Sequence, residues 1–241
     1  MSASREAYDS DGAGTRTLEL LEGAERYNRW LFSWLRPQLG AINCELGAGH
    51  GTLTRLALEQ HQVLATEPSS VGRGELLRRF AEHPRFLGAE PDLFALDDTR
   101  TFDCVYSANV LEHIADDVQV LARASQLLKP GGRFVAVVPA LSCLYSRFDA
   151  LIGHRRRYGH ADRVRLETAL ERERIPLALT KFSYKNPVGG VGWFFQMRLL
   201  RRSTLGTEQV ALAERLVPWL EKLDRFELPF GQSLVLGLVR R

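Results

Sequence analysis

The sequence predicts an α/β protein: a parallel sheet covered by helices on both faces. Three observations carry that prediction. Short apolar runs alternate with helical patterns along residues 41–139, the connections between them are short, and the first run is followed at once by a glycine-rich turn, "GAGHG", that opens a helix. A chain of 241 residues, 45% apolar and 25% charged, suits one domain with a sizeable core and embedded additions. It has no run of 18 apolar residues, so no spanning helix is expected.

Taken in order, residues 1–16 are polar, lack the apolar centre of a secretory signal and read as a flexible arm. Residues 17–36 carry Leu18, Leu21, Tyr27, Trp30, Leu31, Trp34 and Leu35 at helical spacing, stopped by Pro37. Then come a buried strand (41–46), a helix (52–60), a second strand (62–67), a helix weakened by its glycines (71–82) and a short strand (85–89). A buried strand (102–108), an amphipathic helix (116–128) and a strand (133–139) follow. The last third is less regular. An irregular segment (140–160) leads to a helix (162–174) and a strand (177–184). An insertion with two helical candidates (186–229) precedes the closing strand (233–241).

The net charge is only +3, with a pI near 8.9, but arginines concentrate at 154–158, 162–174 and 197–202. Two readings stay open: a solvated surface, or a surface for an anionic substrate or an anionic membrane. Cys44, Cys104 and Cys143 are widely separated, and two of them lie in apolar strand runs. They read as small buried hydrophobes of a reducing cytoplasm rather than as a disulfide framework or a zinc site, and no metal is expected.

The glycine turn is the first functional signal. Glycine lets the main chain reach conformations closed to other residues and approach a ligand closely, and the helix behind it offers unpaired N–H groups. Gly47, Gly49 and Gly51 are spaced one residue short of the dinucleotide pattern G-x-G-x-x-G, and the lysine of a phosphate loop is absent. Glu67 closes the second strand about 20 residues on, where a doubly wound fold places an acid for ribose hydroxyls. "ELGAGHG" with "TEPS", "FDCVYSANVLEHI" and "LLKPGGRFVAVVP", in this order and spacing, resembles the class I S-adenosylmethionine-dependent methyltransferases. The resemblance covers roughly residues 40–185 and the closing strand. Within that superfamily the chain looks like the small-molecule branch that includes ubiquinone-type O-methyltransferases.

That resemblance implies a doubly wound, Rossmann-like seven-stranded sheet in the order 3-2-1-4-5-7-6 with strand 7 antiparallel. It also implies a single domain over 1–241: a helical lid at 17–36, a cofactor-binding core at 40–185 and 230–241, and an insertion at 186–229 that caps the acceptor site. The cofactor would be S-adenosyl-L-methionine, leaving as S-adenosyl-L-homocysteine. Glu45, Gly47 and Gly49 would hold its amino-acid end and Glu67 would take the ribose hydroxyls, with Ala48, Gly51 and Pro68 also among the cofactor-binding residues. Asp92 with Leu93 would meet the adenine, with Glu90 a competing acid, and Asn109 would sit near the methionine portion.

Methyl transfer from a sulfonium is an in-line displacement, so the protein mainly aligns the partners and excludes water. A base is needed only when the acceptor must lose a proton. His113, after the fourth strand, is the candidate base; the other reading of "LEHI" is a structural helix start. "GHRRRY" looks like an element of a subset of bacterial methyltransferases. Tyr145, Asp149, His154, Arg157 and Tyr158 are candidates to line the acceptor mouth, with Trp193 of the insertion beside them. The function expected is methyl transfer to a small organic acceptor, one with anionic character if the arginines bind it, with an O-methyl product favoured. Two alternatives stand beside it: a lipid-linked or glycan acceptor at a membrane surface, and a cofactor-binding protein without transfer. Nucleic acid is not expected as a partner, since "SANV" replaces the Asn-Pro-Pro-Tyr-type tetrapeptide. A cytoplasmic monomer or homodimer is expected, with membrane association the less favoured option.

Overall fold

Residues 23–199 and 207–241 are described by a computed structural model. The expected arm, the start of the 17–36 helix and part of the 197–202 arginine run lie outside the described residues. Seven strands form: β1 (Ile42–Leu46), β2 (Gln62–Thr66), β3 (Phe86–Glu90), β4 (Phe102–Ala108), β5 (Leu128–Pro139), β6 (Leu177–Lys185) and β7 (Ser233–Arg240). They make one sheet in the order β3-β2-β1-β4-β5-β7-β6. Strands β1 to β5 are parallel, while β7 runs antiparallel between β5 and β6. The expected order and the reversed seventh strand are both present.

Both faces of the sheet are buried, which is why its strands read as nearly continuous apolar runs. Alternation sorts them. Cys44, Val105, Phe134 and Ala136 face one cluster; Cys104, Tyr106, Val135 and Val137 face the other. The first cluster is covered by α4 (Asp117–Leu127) and α6 (His160–Arg172), which contribute Leu121, Leu127, Leu166 and Leu170. The second is covered by α1 (Glu25–Leu35), α2 (Thr52–Leu58) and α3 (Ser70–Phe80), through Trp30, Leu35, Leu56 and Leu76.

Three expectations change. β5 begins five residues early because "KPGG" is carried as a bulge: Phe102 pairs with Leu128, but Cys104 pairs with Arg133. The irregular stretch contains a 3-10 turn (Ser142–Leu144) and a short helix α5 (Arg147–Leu151), started by a reciprocal Ser146–Asp149 capping box. The helix expected as a lid is a wall of the core, since Trp30, Leu31, Phe32, Trp34 and Leu35 are all buried. The insertion divides in two. α7 (Pro187–Trp193), which continues as a π-helical turn (Phe194–Leu199), packs near α5, whereas α8 (Thr207–Leu223) sends Val217 and Leu220 into the second core cluster. Glu214 of α8 also accepts from the Tyr27 N–H at 2.7 Å, so it ties down the start of α1.

The return from β5 to α6 is fastened by Asp117, which is 1% exposed. It accepts from Tyr158 Oη at 2.8 Å and from Arg165 Nη1 and Nη2 at 2.9 and 2.7 Å, with Arg156 Nη1 at 3.0 Å. Burial would raise the Asp117 pKa, but the Arg165 pair, the Tyr158 hydroxyl and Arg156 outweigh it and hold it below the usual carboxylate range. The substitution leaves the part-exposed Arg156 and Arg165 without their buried counter-ion, so Asp117→Asn is expected to destabilise the fold by about 2 kcal/mol in urea melts at pH 7. A depressed carboxylate stabilises above its unfolded pKa and loses that contribution as pH falls through its folded one. The gap between the native chain and Asp117→Asn therefore narrows below about pH 4.

Candidate active site

The turn after β1 is where the chain opens a cleft. Gly47, Gly49 and Gly51 all take positive φ, at 71°, 55° and 87°. A Cβ at Gly47 would lie 2.6 Å from Val110, and one at Gly51 would lie 2.5 Å from Phe80. Packing therefore excludes side chains at the two outer positions. At Gly49 a Cβ would meet nothing within 4 Å, so that side of the turn is open. The Ala48 N–H donates to the Thr66 carbonyl at 2.9 Å, which anchors the turn to the end of β2. Just beyond, Glu67 accepts from the Gly49 N–H at 2.9 Å and from the Ser69 N–H at 2.8 Å. The carboxylate expected to meet ribose thus stands at the rim of the open turn. Pro68 is exposed beside it, its carbonyl taken by Arg73 at 2.9 Å.

Glu45 lies beneath the turn rather than in it, at 2% exposure. Its Oε2 accepts from Thr54 Oγ1 at 2.6 Å and from Tyr106 Oη at 2.9 Å. Burial pushes its pKa up to about 7 against the pull of those two donors. The Tyr106 partner follows from register, because Glu45 and Tyr106 are paired on β1 and β4. Asn109 follows β4 with φ 54° and is exposed at the same sheet edge. Asp92 caps the 3-10 turn Leu93–Ala95, accepting from the Phe94 and Ala95 N–H groups at 2.8 and 3.0 Å. The Leu93 expectation is corrected: its side chain is buried in the first core cluster, and the neighbouring Phe94 reaches solvent instead.

The segment 145–158 meets the end of β4 in a buried polar cluster. Asp149 Oδ1 accepts from Arg157 Nε at 2.8 Å and faces His154 Nδ1 at 3.0 Å, while Oδ2 accepts from the Ser146 N–H and hydroxyl at 2.8 and 2.7 Å. The His113 and His154 rings meet edge-on with centroids 4.7 Å apart. Burial and the nearby His154 lower the His113 pKa to about 4. Its ring is therefore neutral at pH 7 but accepts a proton weakly, which counts against the expected role as general base. Tyr145 donates to the His154 carbonyl at 2.7 Å. Tyr158 is corrected from an acceptor-lining residue to an interior one, fully buried with its hydroxyl on Asp117. Arg157 and Trp193 are corrected likewise. The guanidinium is buried between Asp149 and the Trp193 ring, 4.7 Å from the ring centroid, and the indole N–H donates to the Leu144 carbonyl at 3.1 Å. Arg155 and Arg156 donate to the carbonyls of His113, Ile114 and Ala115. The three arginines of the "HRRR" run are thus engaged by groups of the fold itself, Arg157 inside it and Arg155 and Arg156 nearer its surface.

Residues 44–134 match the family model of a methyltransferase domain. An uncharacterised 37.1 kDa protein of a Streptomyces fradiae transposon is 28% identical over 127 residues, covering 51% of this chain and 37% of the relative. An uncharacterised Mycobacterium tuberculosis protein is 30% identical over 124 residues, 46% of this chain and 42% of its own. The chain therefore spans about two fifths of the length of these curated relatives. Among solved structures, the N-methyltransferase NodS of Bradyrhizobium japonicum, in complex with S-adenosylhomocysteine, superposes with a TM-score of 0.57 at 13% identity over 98% of both chains. A Streptomyces coelicolor geranyl diphosphate C-methyltransferase gives 0.58 at 14% identity, over 87% of this chain and 74% of that one. These distant likenesses show the fold. Since they include N- and C-methyltransferases, they lend no weight to the O-methyltransferase branch.

Beside the polar cluster the chain has an apolar groove that no sequence motif announced. Leu141, Leu144, Val191, Phe194, Phe195 and Phe230 line a cavity of about 340 Å3. Its walls come from three distant segments, so no local pattern predicts it. Glu45 supplies a test of the buried edge below. The folded domain keeps a proton on Glu45 to about pH 7, while the unfolded chain loses it near pH 4.3. The contribution of this group to stability therefore falls as pH rises from about 4.5 to 7 and levels off above, by up to about 3 kcal/mol. Urea midpoints at pH 5 and 7.5 are expected to lose most of this difference in Glu45→Gln, whose amide oxygen still accepts from Thr54 and Tyr106.

Proposed function

We propose that the domain transfers a methyl group from S-adenosyl-L-methionine to a small organic acceptor with an apolar body. The observation that carries this reading is the glycine turn, open at Gly49 with Glu67 at its rim. A turn with one side-chain-free face, exposed main chain and an adjacent carboxylate fits an adenosyl group with an amino-acid tail. Gly47, Ala48 and Gly49 would hold the amino-acid end, Glu67 the ribose hydroxyls, and Asp92 with Phe94 the adenine side. The cofactor supplies an electrophilic methyl group. The chain's part is to hold the acceptor in line at the end of β4, near Asn109, and to keep water out.

The groove supports an acceptor with an apolar portion, because its lining side chains offer contact area and no charge. A second reading, a lipid-linked acceptor met at a membrane surface, is favoured by one further observation. Phe194, Phe195 and Phe230 of the groove's lining, with Leu199, Trp219 and Phe226 outside it, are exposed apolar side chains. Among the described residues no helix is long and apolar enough to cross a membrane, so such contact would be peripheral.

Calorimetry with S-adenosylmethionine and S-adenosylhomocysteine tests the cofactor, and binding of neither would refute the reading. Glu67→Ala is expected to weaken both by about tenfold or more, the loss of hydrogen bonds to a charged acceptor. Incorporation of tritiated methyl into soluble apolar acceptors, set against flotation with liposomes, separates the two acceptor readings. Vesicle binding that Phe194→Ser with Phe195→Ser abolishes marks the membrane version.

A further inference from the structure

We propose that Glu112, His113 and His154 form a binding site for a divalent transition-metal ion. Their ligand atoms all lie within 4.8 Å of one another, and His154 Nε2 stands 3.6 Å from Glu112 Oε1. Metal–ligand bonds of about 2.0–2.2 Å set neighbouring ligand atoms roughly 3–4 Å apart, so the three close on an ion with small side-chain movements.

The independent observation is the state of Glu112. Its carboxylate is fully buried, and neither oxygen has a hydrogen-bond partner. A buried carboxylate without a donor is costly, and native proteins leave few such groups unexplained. The nearby Arg157 does not satisfy it, since that guanidinium is held by Asp149 and the Ala140 carbonyl. A cation between Glu112 and the two imidazoles would.

The surroundings are arranged as a metal's outer shell is. Asp149 Oδ1 faces His154 Nδ1 at 3.0 Å, which fixes the ring with Nε2 toward Glu112; Ser146 holds the other oxygen of Asp149. A carboxylate behind a ligating histidine orients the ring and raises its basicity. The two ligand segments are also tied main chain to main chain, the Arg155 N–H donating to the Glu112 carbonyl at 2.8 Å. Two imidazoles and one carboxylate suit Zn2+, Fe2+, Mn2+ or Co2+ rather than Mg2+ or Ca2+, which take oxygen shells. Three protein ligands leave a position for water or for an oxygen of the acceptor. Use of the ion in methyl transfer rests on the proposed function; the binding of the ion does not. The cysteines take no part: the ligands are Glu112 and two histidines, His113 and His154, brought together only by the fold.

The full chain, stripped with chelator and dialysed, is titrated with Zn2+ by calorimetry and with Co2+ by its visible ligand-field absorption. One equivalent binding at micromolar or tighter affinity, with a rise in Tm, is expected. Glu112→Gln and His113→Ala should each weaken it at least tenfold while far-ultraviolet circular dichroism stays native. Absence of stoichiometric binding, or binding unchanged in both variants, overturns the site. Cofactor affinity measured on the same preparation keeps the two claims apart: metal binding without cofactor binding defeats the methyl-transfer reading alone, and the reverse defeats this one alone.

Discussion

A parallel sheet buried on both faces can carry polar chemistry only where its strands stop. Every interior position of β1, β2 and β4 is packed between helices, so a ligand can meet the main chain only at the carboxyl edge. Here that edge is opened by the turn at Gly47–Gly51, and the packing of the turn fixes what stands around it. Val110 fills the space over Gly47 and Phe80 the space beside Gly51. The turn is thereby pinned from the β4 side and from α3 at once. Its one open position, Gly49, is left facing Glu67. The site's geometry therefore depends on the absence of side-chain volume at two glycines, Gly47 and Gly51, whatever contact they make with a ligand.

The same logic explains the arginine-rich return after β5. An excursion that leaves the sheet edge and comes back through α5 to α6 has little apolar surface of its own to bury. It is held instead by two buried carboxylates. Asp149 gathers Ser146, His154 and Arg157, and Asp117 gathers Tyr158, Arg156 and Arg165. Arginine suits this work because its planar fork can satisfy a carboxylate and a carbonyl together. What looks in composition like an anion-binding surface includes arginines already engaged by the fold: Arg157 is internal, while Arg155, Arg156 and Arg165 bind carbonyls and a carboxylate from its surface.

How much of this was legible in the sequence follows from how local each feature is. The strands were legible because burial on both faces makes continuous apolar runs, and the turn because positive φ at three positions calls for glycine. The sheet order and reversed β7 came with the motif resemblance, not with the pattern. The extra length of β5 was hidden, since "KPGG" reads as a turn until a register shift against β4 carries it in the ladder. Leu93, Tyr158 and Trp193 show the opposite error. Sequence position placed each near the site, but whether a side chain faces a cleft or the core is a property of the fold, and each faces inward. The groove and the Glu112–His154 approach lay beyond reach for the same reason, because their members are joined only by folding.

Three carboxylates at this edge are buried to nearly the same degree, yet their surroundings drive them apart. Burial favours the neutral acid in every case. For Asp149, hydrogen bonding to His154, the charge and hydrogen bond of Arg157 and the Ser146 hydroxyl overcome burial, and its pKa falls below the usual range. Glu45 receives two neutral hydroxyl donors, which only soften the effect, and it rises to about 7. Glu112 is set by burial, against which its own backbone N–H and the distant charge of Arg157 pull only weakly, and it rises to about 8. The order follows the number and charge of the donors that each group meets. A carboxylate satisfied by cations is finished as structure, which is the state of Asp149. One left without charged donors favours its neutral acid until a cation arrives, and in this fold that group, Glu112, sits beside two histidines at the edge where the acceptor would be held.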